Sequence, residues 1–173
     1  MILRFVAAIS VMVGCGGLGL YYAAREGFRI NELQELKKSL LILSSEIEYM
    51  RAPLNVACSS IAKRTEGAVS TLFRIFAETI SKNNGETAYQ AWVSSLSAIK
   101  EKSFLAEEDI GMLDGFGKTL GYLDKQMQQS AIDYTINYID EKVTTLHAQN
   151  NKNKRMYRSL GVIAGLLITV VLW

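Results

Sequence analysis

The two ends of this chain constrain it most. From Ile2 to Ala24 the side chains are apolar apart from Arg4 and Ser10, a run long enough to cross the hydrocarbon core of a bilayer as a helix. A second run, from about Tyr157 to Trp173, carries no charge after Arg158. The expected organisation is a transmembrane helix over 1–24, a helical domain over 25–155 and a second transmembrane helix over 156–173. A cleaved signal peptide is the competing reading of the first run, with Arg4 as its basic residue, but no clear A-x-A site precedes Arg25.

Small residues give both runs a packing face. Cys15, Gly19 and Ala23 step by four, as do Ser10 and Gly14, and Gly161 and Gly165 form a GxxxG spacing. Gly14, Gly19, Gly161 and Gly165 are therefore the candidate contact points between transmembrane helices. Tyr21 and Tyr22, and Tyr157 and Trp173, stand where interfacial aromatics are expected.

Orientation follows from the basic residues. Arg25, Arg29, Lys37 and Lys38 follow the first run, and Lys152, Lys154, Arg155 and Arg158 precede or enter the second. Only Arg4 and the amino terminus lie on the far side, so the positive-inside rule places the middle of the chain in the cytoplasm.

That middle region should be all-α. Proline occurs once, at Pro53, and the β-branched runs are confined to the termini. Leu33, Leu36, Leu40, Leu43, Ile47 and Met50 alternate spacings of three and four, which predicts an amphipathic helix ending before Pro53. The same seam could serve a coiled-coil dimer, but it spans fewer than three heptads and several short helices follow. Pro53 is placed to open a second helix with Leu54, Ala57, Cys58 and Ile61 inward, and Gly67 closes the loop after it. Val69, Leu72, Phe73, Phe76 and Ile80 mark a third, which stops at the turn Lys82-Asn83-Asn84-Gly85. Ala88, Ala91, Trp92, Leu96 and Ile99 mark a fourth; Ile110, Leu113 and Phe116 mark a fifth. Ile132, Ile136, Ile139, Val143 and Leu146 predict a long final helix.

Between the fifth and last helices lies a glycine-rich stretch containing Gly111, Gly115, Gly117 and Gly121. Each glycine costs about 1 kcal/mol against alanine in an exposed helix interior. Two readings account for them. Gly117 and Gly121, four apart, would clear a strip for close approach of a neighbouring helix; alternatively one of them ends a helix and Asp124 opens the next.

Little chemistry is available. The 19 basic and 17 acidic residues give a net charge of +2 with no concentrated basic face, which argues against nucleic-acid binding. His147 is the only histidine, and Cys15 and Cys58 have neither metal-ligand spacing nor a shared compartment for a disulfide. No GxSxG elbow, P-loop or GxGxxG is present. Glu107, Glu108 and Asp109 read as acidic residues favoured at a helix N-terminus. The expectation is a protein without enzymatic activity, cofactor, metal or small-molecule substrate.

The order and spacing of several short motifs add a resemblance. Glu46-Ile47-Glu48-Tyr49, Pro53-Leu54, Ala91-Trp92, Phe116-Gly117, Leu120-Gly121, Asp124 and Gln128, set between two apolar ends, resemble the stage III sporulation protein AB family of endospore-forming bacteria over essentially the full length. One departure is visible: Pro53-Leu54 is followed by Asn55 and Val56, where the family often has a second proline and an acidic residue. The resemblance implies an antiparallel bundle of about six helices, similar to the cytoplasmic domains of the type II secretion inner-membrane platform protein. It also implies a place in the mother-cell membrane, within the channel complex joining mother cell and forespore. The implied partners are a secretion-type ATPase and other membrane subunits of the channel. Glu46, Tyr49, Pro53, Leu54, Trp92, Phe116, Gly117, Gly121, Asp124 and Gln128 are then the candidate structural or interaction residues. Two other functions compete with a platform or adaptor: a pore-forming, holin-like protein, suggested by the glycine-rich first run, and an extracytoplasmic helical sensor, which requires the opposite orientation.

Overall fold

The structure, a computed structural model, describes residues 25–50, 52–82, 85–121 and 125–172, with side chains from 126 to 149 in the last segment. Among the described residues it contains six helices and no strand. They are α1 (25–45, continued by a π-helical turn over Glu46–Met50), α2 (Leu54–Arg64), α3 (Gly67–Ser81), α4 (Ala88–Ile99), α5 (Glu107–Gly117) and α6 (Lys125–Leu172). The expected transmembrane helix over 1–24 lies outside the described residues, as do the side chains of the expected span over 156–173, where α6 continues as helix to Leu172. Among the described residues no helix is long and apolar enough to cross a membrane. The chain divides into two units, one of Arg29–Val143 and one drawn from Met1–Phe28 and Thr144–Trp173.

The starts of α2 to α5 each have a local cause. Pro53, with φ −56° and ψ 144°, caps α2 from outside, so the helix starts at Leu54, one position later than the Pro53 start expected from sequence. Its carbonyl accepts the first bonds of the helix, from the N–H groups of Val56 and Ala57. Gly67 opens α3 with φ +66°, the left-handed region that favours glycine. Thr87 and Gln90 form a reciprocal capping box at α4: the Gln90 N–H donates to Thr87 Oγ1, and the Thr87 N–H to Gln90 Oε1. At α5 the N-cap is Ala106, which has no side-chain acceptor, so only the return half exists: its N–H donates to Asp109 Oδ2 at 2.8 Å.

The polar pairs fix the directions of the helices. Asn55 pairs with Ser81 and Ser70 with the carbonyl of Ala62, so α2 and α3 run antiparallel. Tyr89 reaches Asp114, Trp92 reaches Leu113 and Lys100 reaches Glu107, which sets α4 against α5 the same way. Lys37 pairs with Asp140 and Ser44 with Gln129, so α1 and α6 are antiparallel too. The result is a helical bundle, stabilised chiefly by burying one apolar stripe of each helix.

Most of the predicted stripes are buried. Leu33, Leu36, Leu40 and Leu43 of α1 are fully enclosed, as are Ala57, Cys58 and Ile61 of α2 and Leu72, Phe73 and Phe76 of α3. Ala91, Trp92, Leu96 and Ile99 of α4, Leu113 and Phe116 of α5, and Ile132 and Ile139 of α6 complete the core. The α1 seam departs from expectation at its end, where Ile47 is half-buried and Met50 is 71% exposed. The π-helical turn is the reason: with hydrogen bonds from i to i+5 it winds more slowly than an α-helix, so the three-and-four spacing no longer stays on one face. Ile80, Ile110, Ile136 and Val143, also expected inward, are half-buried at the edges of their stripes.

Candidate functional site

Trp92 is the hub of the α3–α4–α5 packing. Its indole is fully buried and meets Phe73, Phe76 and Phe116 edge to face, with ring centroids 5.7, 5.0 and 5.6 Å away. The indole N–H donates to the carbonyl of Leu113 at 2.8 Å, so the one polar atom of the ring is satisfied. Gly117 lies against the same ring. A Cβ built there would stand 2.1 Å from Trp92 Cδ1, so any side chain is excluded.

The two readings of the glycine stretch therefore separate by position. Gly117 is both a close-approach glycine and the last residue of α5. Gly121 does not share its strip: it is exposed in the turn after α5, and nothing among the described residues lies within 4 Å of where its Cβ would be. The helix has ended by then, so the four-residue repeat no longer keeps the two glycines on one face. Neither has a positive φ, so neither is a left-handed cap. Gly111 and Gly115 also face open space.

A charged clasp joins three helices on another side of the bundle. Arg29 of α1 holds Asp109 through two hydrogen bonds, Nε to Oδ2 at 2.7 Å and Nη2 to Oδ1 at 2.9 Å. Its Nη2 also donates to Glu108 Oε1 at 2.6 Å, and Lys142 of α6 reaches Glu108 Oε2 at 2.7 Å. Asp109 is fully buried, yet it accepts from both Arg29 and the α5 N-cap, as a buried carboxylate must. Burial works against the Arg29 charge, but the hydrogen bonds to Asp109 and Glu108 outweigh it and hold the guanidinium above its ordinary pKa. The hydrogen bond from Lys142, then that from Arg29, holds the Glu108 carboxyl below the usual range. Burial pushes the Tyr138 phenol up. Beside the clasp, Glu32 accepts from the Ser103 hydroxyl and the Phe104 N–H, both at 2.7 Å, and so anchors the α4–α5 connection to α1.

Sequence reasoning missed this clasp. Arg29 entered only as a topology charge and Asp109 only as a helix-start acid; the available signal was an acidic third residue behind an N-cap that cannot itself accept.

The remaining candidate residues are dispersed. Glu46 sits in the π-helical turn and accepts from the Ser60 hydroxyl of α2 at 3.2 Å, whereas Tyr49 of the same turn is 75% exposed. Pro53 is exposed and Leu54 half-buried at the start of α2, and Gln128 is half-buried on α6. Asp124, Gly14 and Gly19 lie outside the described residues; Gly161 and Gly165 fall within α6. The structure gathers Trp92, Phe116 and Gly117 into one cluster and leaves Glu46, Tyr49, Pro53, Leu54, Gly121 and Gln128 apart from it.

Among the described residues, two surface grooves are open to a partner. One, of about 860 Å³, runs between α5 and α6 and is lined by Met112, Gly115, Phe116, Met127, Tyr134 and Tyr138 among others. The second, of about 600 Å³, runs along the outer face of α1 to Arg64 at the end of α2. Cys58 is enclosed, and burial pushes its thiol up to about 12, which leaves it protonated and unreactive. His147 is exposed.

Comparison with known proteins gives this fold its family. The family model described as stage III sporulation protein AB matches residues 4–173. The stage III sporulation protein AB of Bacillus subtilis (strain 168) is 31% identical over 170 residues, covering 98% of this chain and 99% of that protein. A solved structure of a stage III sporulation protein AB superposes with a TM-score of 0.67 at 29% identity, over 72% of this chain and 97% of the other. The chain belongs to the stage III sporulation protein AB family, and its role lies in sporulation.

Proposed function

We propose that this chain is a non-enzymatic platform subunit of a secretion-like channel complex between mother cell and forespore, held in the mother-cell membrane at both ends with its bundle in the cytoplasm. The observation that carries this reading is how the bundle uses its reactive groups. Arg29, Glu108, Asp109 and Lys142 are engaged with one another across three helices, and the one described thiol is enclosed and protonated. The accessible concavities are instead open grooves with exposed apolar side chains, the kind of surface that receives another protein. The apolar runs at 1–24 and 156–173, with basic residues on their inner sides, support the double anchor and the cytoplasmic bundle. The proposed partners are a secretion-type ATPase and the other membrane subunits of the channel.

The test is co-purification. A tagged full-length chain, solubilised from sporulating cells, should bring down the ATPase in stoichiometric amounts. Recovery of the chain without the ATPase, together with ion leakage from liposomes containing the chain alone, would replace the platform with the pore-forming reading.

A further inference from the structure

The groove along the outer face of α1 has a shape and a charge that point to one kind of occupant. Its α1 lining extends from Gln34 to Met50, roughly 24 Å at 1.5 Å per residue, so it is as long as about four turns of a helix. Leu41 and Ile42 lie along it, and Leu41 is 51% exposed. Met50 closes one end. It belongs to the stripe that buries Leu33 to Leu43, but the π-helical turn swings it out to 71% exposure, so the local rewinding has placed an apolar side chain in the groove.

The lining includes Lys37, Lys38 and Arg64 with one acid, Glu46. Lys37 is engaged by Asp140 and Lys38 by Glu35, both at partly exposed positions where an arriving carboxylate can compete. Arg64, exposed in the last turn of α2, makes no ion pair among the described residues. The lining follows one helix for about four turns beside the end of α2, a length that an amphipathic helix matches side by side, and the test below separates that occupant from a bilayer surface.

We infer that this groove receives an amphipathic helix from a protein partner, about four turns long, apolar on one face and bearing carboxylates on its flanks. The inference rests on the platform reading for its premise that the partner is a protein.

Two synthetic peptides of about four helical turns test it, sharing one leucine face and carrying glutamates on the flanks in one and lysines in the other. Binding to the full-length chain in neutral detergent micelles is read by fluorescence anisotropy. The acidic peptide should bind at least about tenfold more tightly than the basic one. Leu41→Asp and Arg64→Glu should each weaken it by about tenfold, while Tyr134→Asp, in the other groove, should leave it unchanged. Equal binding of the two peptides, or indifference to both groove substitutions in variants with unaltered melting, overturns the inference. So does displacement of the acidic peptide by anionic lipid in reconstituted vesicles, which would assign the groove to the bilayer. Co-purification with the doubly substituted chain separates this inference from the platform reading. If the unaltered chain and the Leu41→Asp/Arg64→Glu chain bring down the ATPase and the other channel subunits equally, the groove assignment is wrong and the platform stands. If the unaltered chain brings down nothing, the platform fails, and the peptide preference by itself upholds or sinks the groove.

Discussion

The Trp92 joint and the Arg29 clasp both tie helices together, and they do so by opposite physics. The joint is apolar and closed on every side, with three phenyl rings, a satisfied indole N–H and a glycine where no other residue fits. Its strength comes from area removed from water and from the absence of voids. The clasp is charged and only half withdrawn from solvent: Asp109 is fully buried, Arg29 is mostly so, and Glu108 stands half exposed. Its members contribute mainly by satisfying one another, so the loss of one leaves another stranded. The joint should therefore respond to volume and hardly to salt or pH, and the clasp should respond to charge and hardly to volume.

Substitutions sharpen that contrast. The largest effect belongs to Trp92→Ala, expected to lower the unfolding free energy of the full-length chain by about 3–5 kcal/mol in denaturant titrations. A loss below about 1 kcal/mol would mean that the joint is not the hub of the core. Asp109→Ala comes next, at about 3 kcal/mol, because it strands Arg29 and uncaps α5 together. Raising the salt concentration should weaken the contribution of the half-exposed Glu108 and leave the Trp92→Ala and Asp109→Ala gaps largely in place. Gly117→Ala should cost about 2 kcal/mol by overpacking, since its Cβ would overlap the indole. The same change at Gly121, which meets open space, should stay within about 0.5 kcal/mol. Equal melting of the two alanine variants would contradict the close approach.

A smaller effect than that of Gly117→Ala concerns pH. The folded state lowers the Glu108 pKa, so its contribution is present above the ordinary carboxylate range and is lost as pH falls through that range. Glu108→Gln should cost under about 1 kcal/mol at neutral pH, given the exposure of the pair, and should make the acid limb of the stability profile shallower. An acid limb identical in the two proteins would remove Glu108 from the clasp.

The same contrast explains what could be read from the sequence. The joint was legible because apolar spacing marks a helix face directly: Phe73, Phe76, Trp92, Leu113 and Phe116 all stood on predicted stripes and all are buried. The clasp was not, because Arg29 and Asp109 are 80 residues apart and nothing local distinguishes them from solvated charges. The glycines fell between these cases. Composition announced a packing constraint, but only the position of Trp92 shows that Gly117 carries it and that Gly121 does not. The π-helical turn was invisible for a related reason, since the seam through Ile47 and Met50 keeps the spacing of an ordinary helix while the backbone does not.

The central functional claim is that the bundle faces the cytoplasm, and side-selective labelling tests it most directly. In a background lacking Cys15 and Cys58, a cysteine is placed at the exposed Glu86, and a membrane-impermeant maleimide is applied to intact and to permeabilised sporulating cells. Labelling only after permeabilisation is the predicted result and agrees with a platform facing a cytoplasmic ATPase. Labelling of intact cells would put the bundle outside, contradict the charge asymmetry at both ends of the chain and favour the sensor reading.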